Sequence, residues 1–448
     1  MSVQLSFIVA LAILGLPLFC VLGGVGLAGW HTSGGISNGL GEIYGKLTGA
    51  EAVSLSTIPM FTFAGYLMAK AKTAERLVRM SEALLGAIPG GLAMVTVLIS
   101  ALFTVLTGAS GVTIVALGGL LMPELIRARY TEKFSIGVVT GSGSVGLLFP
   151  PALPLIVYAF IFALNAGQGA DAGHPIDFAI DRFYFAGVVP GMLLVGILLL
   201  YCLFIGLRTG VERTPVDFNK FLRAAWVAKW ELPIPLFIGL MVSGLAHVHE
   251  VAALTALYVF VVEVWIYKDV DLKRDLFHVT RESMTLVGAI FMKIAAGILM
   301  TSYLIDAQVS QHLFEWVGQH VHEQWLFLLI LNVLLLVVGC LMDIFSAIIV
   351  VVPLIVPAAA QYHINPYHLG IIFLLNLEIG YLLPPAGLNL FIAAFRFNRP
   401  LTELYRAVLP FILLMAIALA IVTYVPKLTV VPKSHDLHIE ANQTDLPP

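Results

Sequence analysis

Long apolar segments, separated by short polar stretches, follow one another along almost the whole chain. Most approach or exceed the roughly 20 residues that an α-helix needs to cross the hydrocarbon core of a bilayer. They lie near 4–21, 22–38, 52–70, 91–127, 133–164, 183–207, 231–246, 248–267, 283–305, 325–361, 366–395 and 405–426. Since a helix pairs its own backbone groups and lipid offers no partners, the pattern predicts an all-α, multi-pass membrane protein.

The composition agrees with this fold class. Of 448 residues, 59% are hydrophobic and 11% are charged, whereas a soluble domain carries roughly 25% charged residues. The net charge of −3 provides no basic surface for nucleic acid. The phosphate-binding pattern G-x-x-x-x-G-K-[ST] is absent, so the sequence does not predict ATP hydrolysis by this chain. We expect no enzyme activity and no cofactor.

The basic residues are distributed unevenly between the loops. Of 24 lysines and arginines, 19 fall in five clusters, at 70–79, 127–133, 208–229, 268–281 and 396–406. The positive-inside rule places these clusters in the cytoplasm and both termini outside. This arrangement requires the segments 91–127 and 325–361 to enter and leave on one side. Both are therefore predicted to be re-entrant hairpins, the first from inside and the second from outside.

An internal repeat relates the two halves. At an offset of 234 residues, VGLLFPPA (145–152) aligns with IGYLLPPA (379–386), with five of eight residues identical. Each copy follows a predicted hairpin and precedes one ordinary span. Because the second half begins on the opposite side of the membrane, the pattern predicts an inverted-topology repeat, which is typical of secondary transporters.

Each half has two points where a helix must be interrupted. One is the hairpin tip, at 107–113 and 339–347, and the other is the Pro-Pro break, at 141–151 and 376–385. Backbone groups freed there are tolerable only where they line a cavity or bind a ligand. Their carbonyl oxygens, together with side-chain oxygens, suit Na⁺. Free amides at half-helix N-termini suit an anionic substrate.

The polar residues at these points allow several roles. Asp343, at the second tip, is predicted to bind a cation or to fix the tip by hydrogen bonding. Ser110, Thr113 and Ser346 are candidate ligands, or they bond back to helix carbonyls. Glu378 precedes the second break, where it ligates a cation, accepts a proton or caps a neighbouring tip.

Four further features are interpreted from their position. Asn376 and Asn389 flank the second break and are candidates for holding freed backbone groups. Lys293 lies within a span, where it pairs with a carboxylate, snorkels or contacts substrate. Glu263, near a span end, is expected to be solvated. The amphipathic segment 70–88 is predicted to lie along the cytoplasmic membrane surface.

Much of the chain resembles the large membrane subunit of tripartite ATP-independent periplasmic (TRAP) transporters. The resemblance is strongest over 342–395, which contains MDIFSAIIVVVPLIVP and NLEIGYLLPPAGLNLF. The first half adds IPMFTFAGYLMAKA, GGLAMVTVLISALFTVLTGASG and RFYFAGVVPGML, so the similarity covers roughly 50–425. It implies a permease in the cytoplasmic membrane of a bacterium or archaeon, with a small four-helix membrane subunit and a periplasmic substrate-binding protein as partners.

The resemblance also implies a mechanism and a set of site residues. A Na⁺ gradient drives import of an organic anion, such as a C4-dicarboxylate, by an elevator movement. The first Na⁺ site would involve Ser110, Gly111, Thr113, Gly143, Ser144 and Gly146. The second would involve Asp343, Ser346, Asn376, Glu378 and Gly380. Substrate would contact Thr107, Gly108, Pro150, Pro151, Pro384, Pro385 and Asn389.

These implications divide the chain into seven parts. Scaffold helices and the cytoplasmic amphipathic helix occupy 1–90, and scaffold helices of the second repeat occupy 231–324. The transport domain comprises 91–164 and 325–396. The remaining parts are an outer loop, span and cytoplasmic connector at 165–230, a last span at 397–426 and a polar tail at 427–448.

The sequence departs from the family pattern in its first half. Ala152 stands where the family usually has Ser after the Pro-Pro pair, and the first tip has fewer hydroxyls. Two other functions remain open from the residues alone. GASG (108–111) resembles the nucleophile motif of intramembrane serine proteases, which also need a histidine base. An ion channel or ion-only transporter is the other alternative.

Overall fold

The computed structural model describes residues 15–33, 35–165, 178–211, 218–242, 245–309 and 317–429. Most of the predicted first span, much of the loop 165–182 and nearly all of the tail 427–448 lie outside the described residues. Every regular element within the described ranges is helical. Nine helical segments of this part of the chain are long and apolar enough to cross a membrane. The predicted all-α, multi-pass fold class is confirmed.

The helices are numbered in chain order. In the first half they are α1 (Leu18–Thr32), α2 (Ile36–Thr48), α3 (Thr57–Lys70), α4 (Thr73–Leu85), α5 (Gly91–Thr107), α6 (Ser110–Arg127), α7 (Glu132–Ser142), α8 (Leu153–Asn165), α9 (Ile180–Ala186) and α10 (Val188–Thr209). In the second half they are α11 (Phe218–Val227), α12 (Pro233–Val242), α13 (Val248–Val261), α14 (Leu276–Asp306), α15 (Gln324–Leu341), α16 (Ile344–Gln361), α17 (Pro366–Gly380), α18 (Leu388–Phe397) and α19 (Leu401–Tyr424).

Each half contains one helical hairpin at the predicted position. The first consists of α5 and α6, which are separated by Gly108 and Ala109. The second consists of α15 and α16, which are separated by Met342 and Asp343. The two long segments that the apolar pattern marked as interrupted therefore turn at their predicted tips. The inverted orientation of the halves stays a prediction.

A broken helix follows each hairpin. In the first half, α7 ends at Ser142, a short 3₁₀ helix spans Val145–Leu148, and α8 resumes at Leu153. In the second half, α17 ends at Gly380 and α18 begins at Leu388. Proline explains the interruption, because it has no backbone donor and its ring crowds the carbonyl four residues earlier.

The predicted boundary between the first two spans is wrong. It falls at 21/22, inside α1, which runs without interruption from Leu18 to Thr32. The glycines that lower the hydropathy there serve packing against α14. An added Cβ would lie 2.9 Å from Leu299 at Gly26, and 2.4 Å from the Tyr303 ring at Gly29. Larger residues would force α1 away from α14, since helix cores are close-packed.

Arg76 connects α4 to the end of α13. Its side chain, 9% exposed, pairs with Glu231 at 2.6 Å, with Glu263 at 3.0 Å and with Asp269 at 2.5 Å. The guanidinium also stacks on Tyr267, 3.7 Å from the ring centroid. Burial raises the pKa of the Glu231 carboxyl, although Arg76 opposes that shift. This network fixes α4 to the start of the second half, at Glu231 and in the segment that follows α13.

The network corrects one interpretation of the sequence and bears on a second. Glu263 was expected to be solvated, but it is 1% exposed and accepts a hydrogen bond from Thr73 at 2.7 Å. It is buried because a π-helical turn, Val262–Ile266, follows α13 and directs it toward α4. The amphipathic helix α4 exists as predicted, but Arg76 faces protein instead of the membrane surface. Placement of α4 in the membrane interface remains a prediction.

We expect Arg76→Met to lower the free energy of unfolding by about 3–5 kcal/mol, because it leaves buried carboxylates without a counter-charge. The loss should grow as the pH rises. A buried carboxyl such as Glu231, whose pKa is raised in the folded state, favours folding only while it is protonated. Chemical denaturation in detergent micelles at several pH values between about 5 and 8 measures both effects.

Arg79→Met is the matched control. Arg79 lies on the same helix, but its side chain is 70% exposed and pairs only with Glu75 among the described residues. Its replacement should change the stability by less than about 1 kcal/mol. Equal losses for both variants would contradict a structural role for the buried network.

Candidate transport site

The first hairpin packs directly on the first break. The Thr104 hydroxyl of α5 donates to the Gly143 carbonyl at 2.8 Å, and its oxygen lies 2.7 Å from Thr113 Oγ1. An added Cβ at Gly146 would lie 2.2 Å from the Ala101 carbonyl oxygen. The structure therefore brings together Thr113, Gly143 and Gly146, three of the residues predicted for the first cation site.

The first tip also reaches the second half. The Ser110 hydroxyl donates to Asn389 Oδ1 at 2.7 Å, and both residues are buried. Gly111 faces Ile392 of α18, because an added Cβ would lie 2.5 Å from the isoleucine Cδ1. An amide oxygen is not a general base, so this contact does not activate Ser110 as a protease nucleophile.

The second hairpin packs on the second break in a similar way. Asp343 caps α16: its Oδ2 accepts from the Ser346 amide at 3.3 Å, and its Oδ1 accepts from the Ser346 hydroxyl. The Ile344 amide donates to the Tyr381 hydroxyl at 2.6 Å. An added Cβ at Gly380 would lie 2.6 Å from the Gly339 carbonyl carbon. The predicted tip-fixing role of Asp343 is thus visible in the geometry, and cation binding stays a prediction.

Several buried oxygens beside the breaks have no hydrogen-bond partner among the described residues. They are Asn376 Oδ1, both carboxylate oxygens of Glu378, and Ser144 Oγ. The Asn376 amide nitrogen is occupied, since it donates to Asn332 Oδ1 at 2.6 Å and to the Ile372 carbonyl at 2.8 Å. Buried polar atoms are normally paired. Oxygen atoms are the ligands that a hard cation such as Na⁺ prefers, so each of these atoms is a candidate ligand, and Na⁺ binding by them stays a prediction.

A cavity of about 1080 Å³ separates both hairpin tips from α14. The first tip contributes Gly108, Ser110 and Gly111, and the second contributes Asp343 and Ile344. Charged or titratable residues of the lining are Lys70, His278, Arg281, Glu282, Lys293 and Asp343. An ion pair crosses the space, from Lys293 Nζ to Asp343 Oδ1 at 2.9 Å. The space is therefore wide enough for a small organic ion and contains charges of both signs.

Only one of the seven predicted substrate residues belongs to the described lining of this cavity. Gly108 lines the cavity, whereas the other six are absent from its described lining: Thr107, Pro150, Pro151, Pro384, Pro385 and Asn389. The first Pro-Pro pair is buried in protein and the second is exposed. Asn389 still lies one hydrogen bond from the cavity, through Ser110. Substrate contact by all seven residues remains a prediction.

Four residues of the site were not assigned to it from the sequence. Thr104 and Asn332 lie within apolar helices, Tyr381 follows the second break, and Lys293 had several open interpretations. Thr104 contacts the first break at Gly143, and Asn332 contacts Asn376 within α17. The signal that both offer is a polar residue on the otherwise apolar first helix of a hairpin.

The two hairpins, the two broken helices and the shared cavity define a multi-pass membrane fold with internal helix breaks. Two solved structures share this fold. The chain matches the YdaH transporter of Alcanivorax borkumensis with a TM-score of 0.62 and 14% identity, covering 87% of each chain. It matches MtrF of Neisseria gonorrhoeae with a TM-score of 0.54 and 11% identity, covering 87% of this chain and 83% of MtrF. At these identities the similarity shows the fold.

The family is shown by sequence comparison. Residues 5–428 match the family model described as tripartite ATP-independent periplasmic transporter, DctM component, and the chain belongs to this family. It is 33% identical to the C4-dicarboxylate TRAP transporter large permease protein DctM of Rhodobacter capsulatus, over 85% of this chain and 87% of that one. It is 30% identical to the isethionate TRAP transporter permease protein DctMQ of Oleidesulfovibrio alaskensis, over 85% of this chain and 58% of that one. It is 26% identical to the ectoine large permease TeaC of Halomonas elongata, over 95% and 97%.

We expect Gly146→Ala and Gly380→Ala each to lower the free energy of unfolding by about 1–3 kcal/mol, because an added methyl group has no room between tip and break. Gly288→Ala in α14 is the control, since no described atom lies within 4 Å of an added Cβ. Alanine favours the helix there, so no loss is expected. Chemical denaturation in detergent measures all three variants, and equal stability of all three would contradict tight packing at the breaks.

Proposed function

We propose that this chain is the permease subunit of a Na⁺-coupled, binding-protein-dependent transporter that imports an organic anion. The observation that carries the proposal is the group of buried oxygens beside the breaks that have no hydrogen-bond partner among the described residues, in a chain whose two hairpin tips line one cavity. In a region of low dielectric, such oxygens stabilise a cation that brings its own charge. The Na⁺ gradient then drives transport, since this chain has no motif for binding and hydrolysing ATP.

The anionic nature of the substrate is supported by the cavity and by the relatives. Lys70, Arg281 and Lys293 line the space, and cationic side chains there favour a carboxylate or sulfonate. The C4-dicarboxylate and the isethionate for which two similar permeases are named are anions, and the ectoine for which a third is named is a zwitterion with one carboxylate. Because these substrates differ, the family leaves the identity of the anion open. A carboxylate is the proposed class.

The proposed mechanism is an elevator movement of the two hairpins and the two broken helices against the remaining helices. The Ser110–Asn389 hydrogen bond supports it, because it joins the first tip to the helix that follows the second break. In this proposal the first hairpin and α18 move as one body. Delivery of substrate by a periplasmic binding protein, and a small four-helix subunit in the inner membrane, complete the proposed system. Both termini of this chain would face the periplasm.

The test is uptake of labelled candidate substrates into proteoliposomes that contain this chain and the small subunit, with the binding protein added outside. A panel of succinate, isethionate and ectoine covers the classes named for the relatives. We expect uptake of one member to require an inward Na⁺ gradient and the binding protein. Uptake that is unchanged when choline replaces Na⁺ would contradict the coupling.

Asp343→Asn should reduce Na⁺-dependent uptake by at least about tenfold, because it removes the charge at the second tip but preserves its shape. Glu124→Gln is the control. Glu124 pairs with Arg127 on the exposed surface of α6, so uptake should stay near the wild-type rate. Full activity of the Asp343 variant would exclude this carboxylate from the transport site.

A further inference from the structure

In the function proposed above, Lys293 is only one of several cationic side chains of the cavity lining. It lies in α14, a candidate membrane span with a mean hydropathy of 1.8. An ammonium group at such a position is costly and needs a partner. Its partner is Asp343, the carboxylate at the second hairpin tip, at 2.9 Å. The lysine therefore places a positive charge beside the carboxylate that is proposed to hold Na⁺.

The hydrogen bonds of Asp343 leave little space for a second cation. Oδ1 accepts from Lys293 and from the Ser346 hydroxyl, while Oδ2 accepts from the Ser346 amide. A carboxylate offers about four lone-pair sites, so three are already used. An ammonium group and Na⁺ on the same carboxylate would also repel each other at a distance of a few ångströms. Simultaneous tight binding of both is unfavourable.

We propose that Lys293 and Na⁺ compete for Asp343, so that sodium binding displaces the lysine ammonium into the cavity. The inference rests on the proposed sodium coupling and assigns to Lys293 the role of a tethered competing cation. In the absence of Na⁺ the lysine neutralises Asp343. In its presence the charge of Lys293 becomes available to a carboxylate in the same cavity.

The surroundings of Lys293 permit this exchange. Its side chain is 21% exposed and that of Asp343 is 27% exposed, so water reaches the ion pair from the cavity. A lysine ammonium on a flexible four-carbon stem reorients without movement of the backbone. Arg281 lines the same cavity, so a released Lys293 would add to an existing positive charge. The displaced group therefore attracts an anion from solvent.

The ion pair also joins two parts of the proposed elevator. Lys293 lies on α14, which packs against α1, α2 and α3 and also directly against α16, and Asp343 begins α16, which packs in addition against α8. Displacement of the lysine by Na⁺ removes a charged connection between the hairpin tip and α14. Sodium binding would thus weaken the contact that holds the second tip against the neighbouring helices.

The test is sodium affinity of the purified, full-length Lys293→Met variant. Na⁺ replaces choline at constant ionic strength, and both the rise in melting temperature and the binding of radioactive Na⁺ are followed. Removal of the competitor should lower the half-saturating Na⁺ concentration by about three- to tenfold, the range for a partly exposed ion pair. An unchanged or higher half-saturating concentration would overturn the competition.

Two further variants separate competition from general effects. Lys293→Arg keeps the charge and donates two parallel hydrogen bonds to a carboxylate, so Na⁺ affinity should be equal to or lower than that of the wild type. Lys70→Met removes a positive charge from the same cavity, but Lys70 pairs with Asp275 at 3.2 Å instead of Asp343. It should shift the half-saturating concentration by less than about twofold. If Lys70→Met raised the Na⁺ affinity as much as Lys293→Met does, the effect would be due to cavity charge alone. That result would overturn the assignment of Lys293 as the competing cation.

The outcomes distinguish this inference from the proposed function. If the wild type binds Na⁺ and Lys293→Met binds it no more tightly, the competition fails and sodium coupling stands. If neither the wild type nor any variant binds Na⁺, sodium coupling itself fails, and the competition fails with it. Should Lys293→Met not fold, a Lys293→Gln variant gives the same comparison, with the same expected direction and the same contrary result.

Discussion

A backbone group inside a membrane must find a partner within the protein, and this constraint organises the structure. The two Pro-Pro breaks interrupt helices whose backbone groups would otherwise be hydrogen-bonded within the helix. Each interruption is then covered by the hairpin of its own half. In the first half, the Thr104 hydroxyl donates a hydrogen bond to the Gly143 carbonyl. In the second half, the Tyr381 hydroxyl accepts a hydrogen bond from the Ile344 amide. The first break and both hairpin tips lie in the protein interior or along the cavity, where protein groups supply the hydrogen bonds that lipid lacks. The second Pro-Pro pair is exposed, and its two prolines have no backbone donor to satisfy.

Two ion pairs in the molecule illustrate opposite solutions for a charge at low dielectric. Arg76 is surrounded by three carboxylates and an aromatic ring and is almost inaccessible, so its pairing is fixed by the fold. The Lys293–Asp343 pair has a single bond and access to a cavity, so its partners are exchangeable. Desolvation decides the difference, because a charge that cannot reach water has no alternative to its protein partner. Solvent access therefore distinguishes the structural ion pairs of Arg76 from the exchangeable Lys293–Asp343 pair.

The sequence predicted the interrupted segments well and the side-chain network poorly. Hairpins and Pro-Pro breaks follow from segment length and from proline, both of which are local properties, and the hairpins turn at the expected tips. The start of α1 was misjudged because glycines lower hydropathy while allowing close contact with α14, a tertiary effect. Glu263 was misjudged for a similar reason, since a π-helical turn and Arg76, 187 residues away, decide its burial. Contacts between distant helices leave no periodic signal in the chain.

The two halves differ in the charge that they bring to their irregular points. The contacts described at the first tip involve hydroxyl, amide and carbonyl groups of Thr104, Thr113, Ser110 and Asn389. The second tip brings the Asp343 carboxylate, and Glu378 lies beside the second break. In the proposed cycle, Na⁺ at the second tip is neutralised by Asp343, whereas Na⁺ at the first adds net positive charge. An anionic substrate in the shared cavity balances that charge, so in this proposal the neutral first site makes sodium and anion binding mutually dependent.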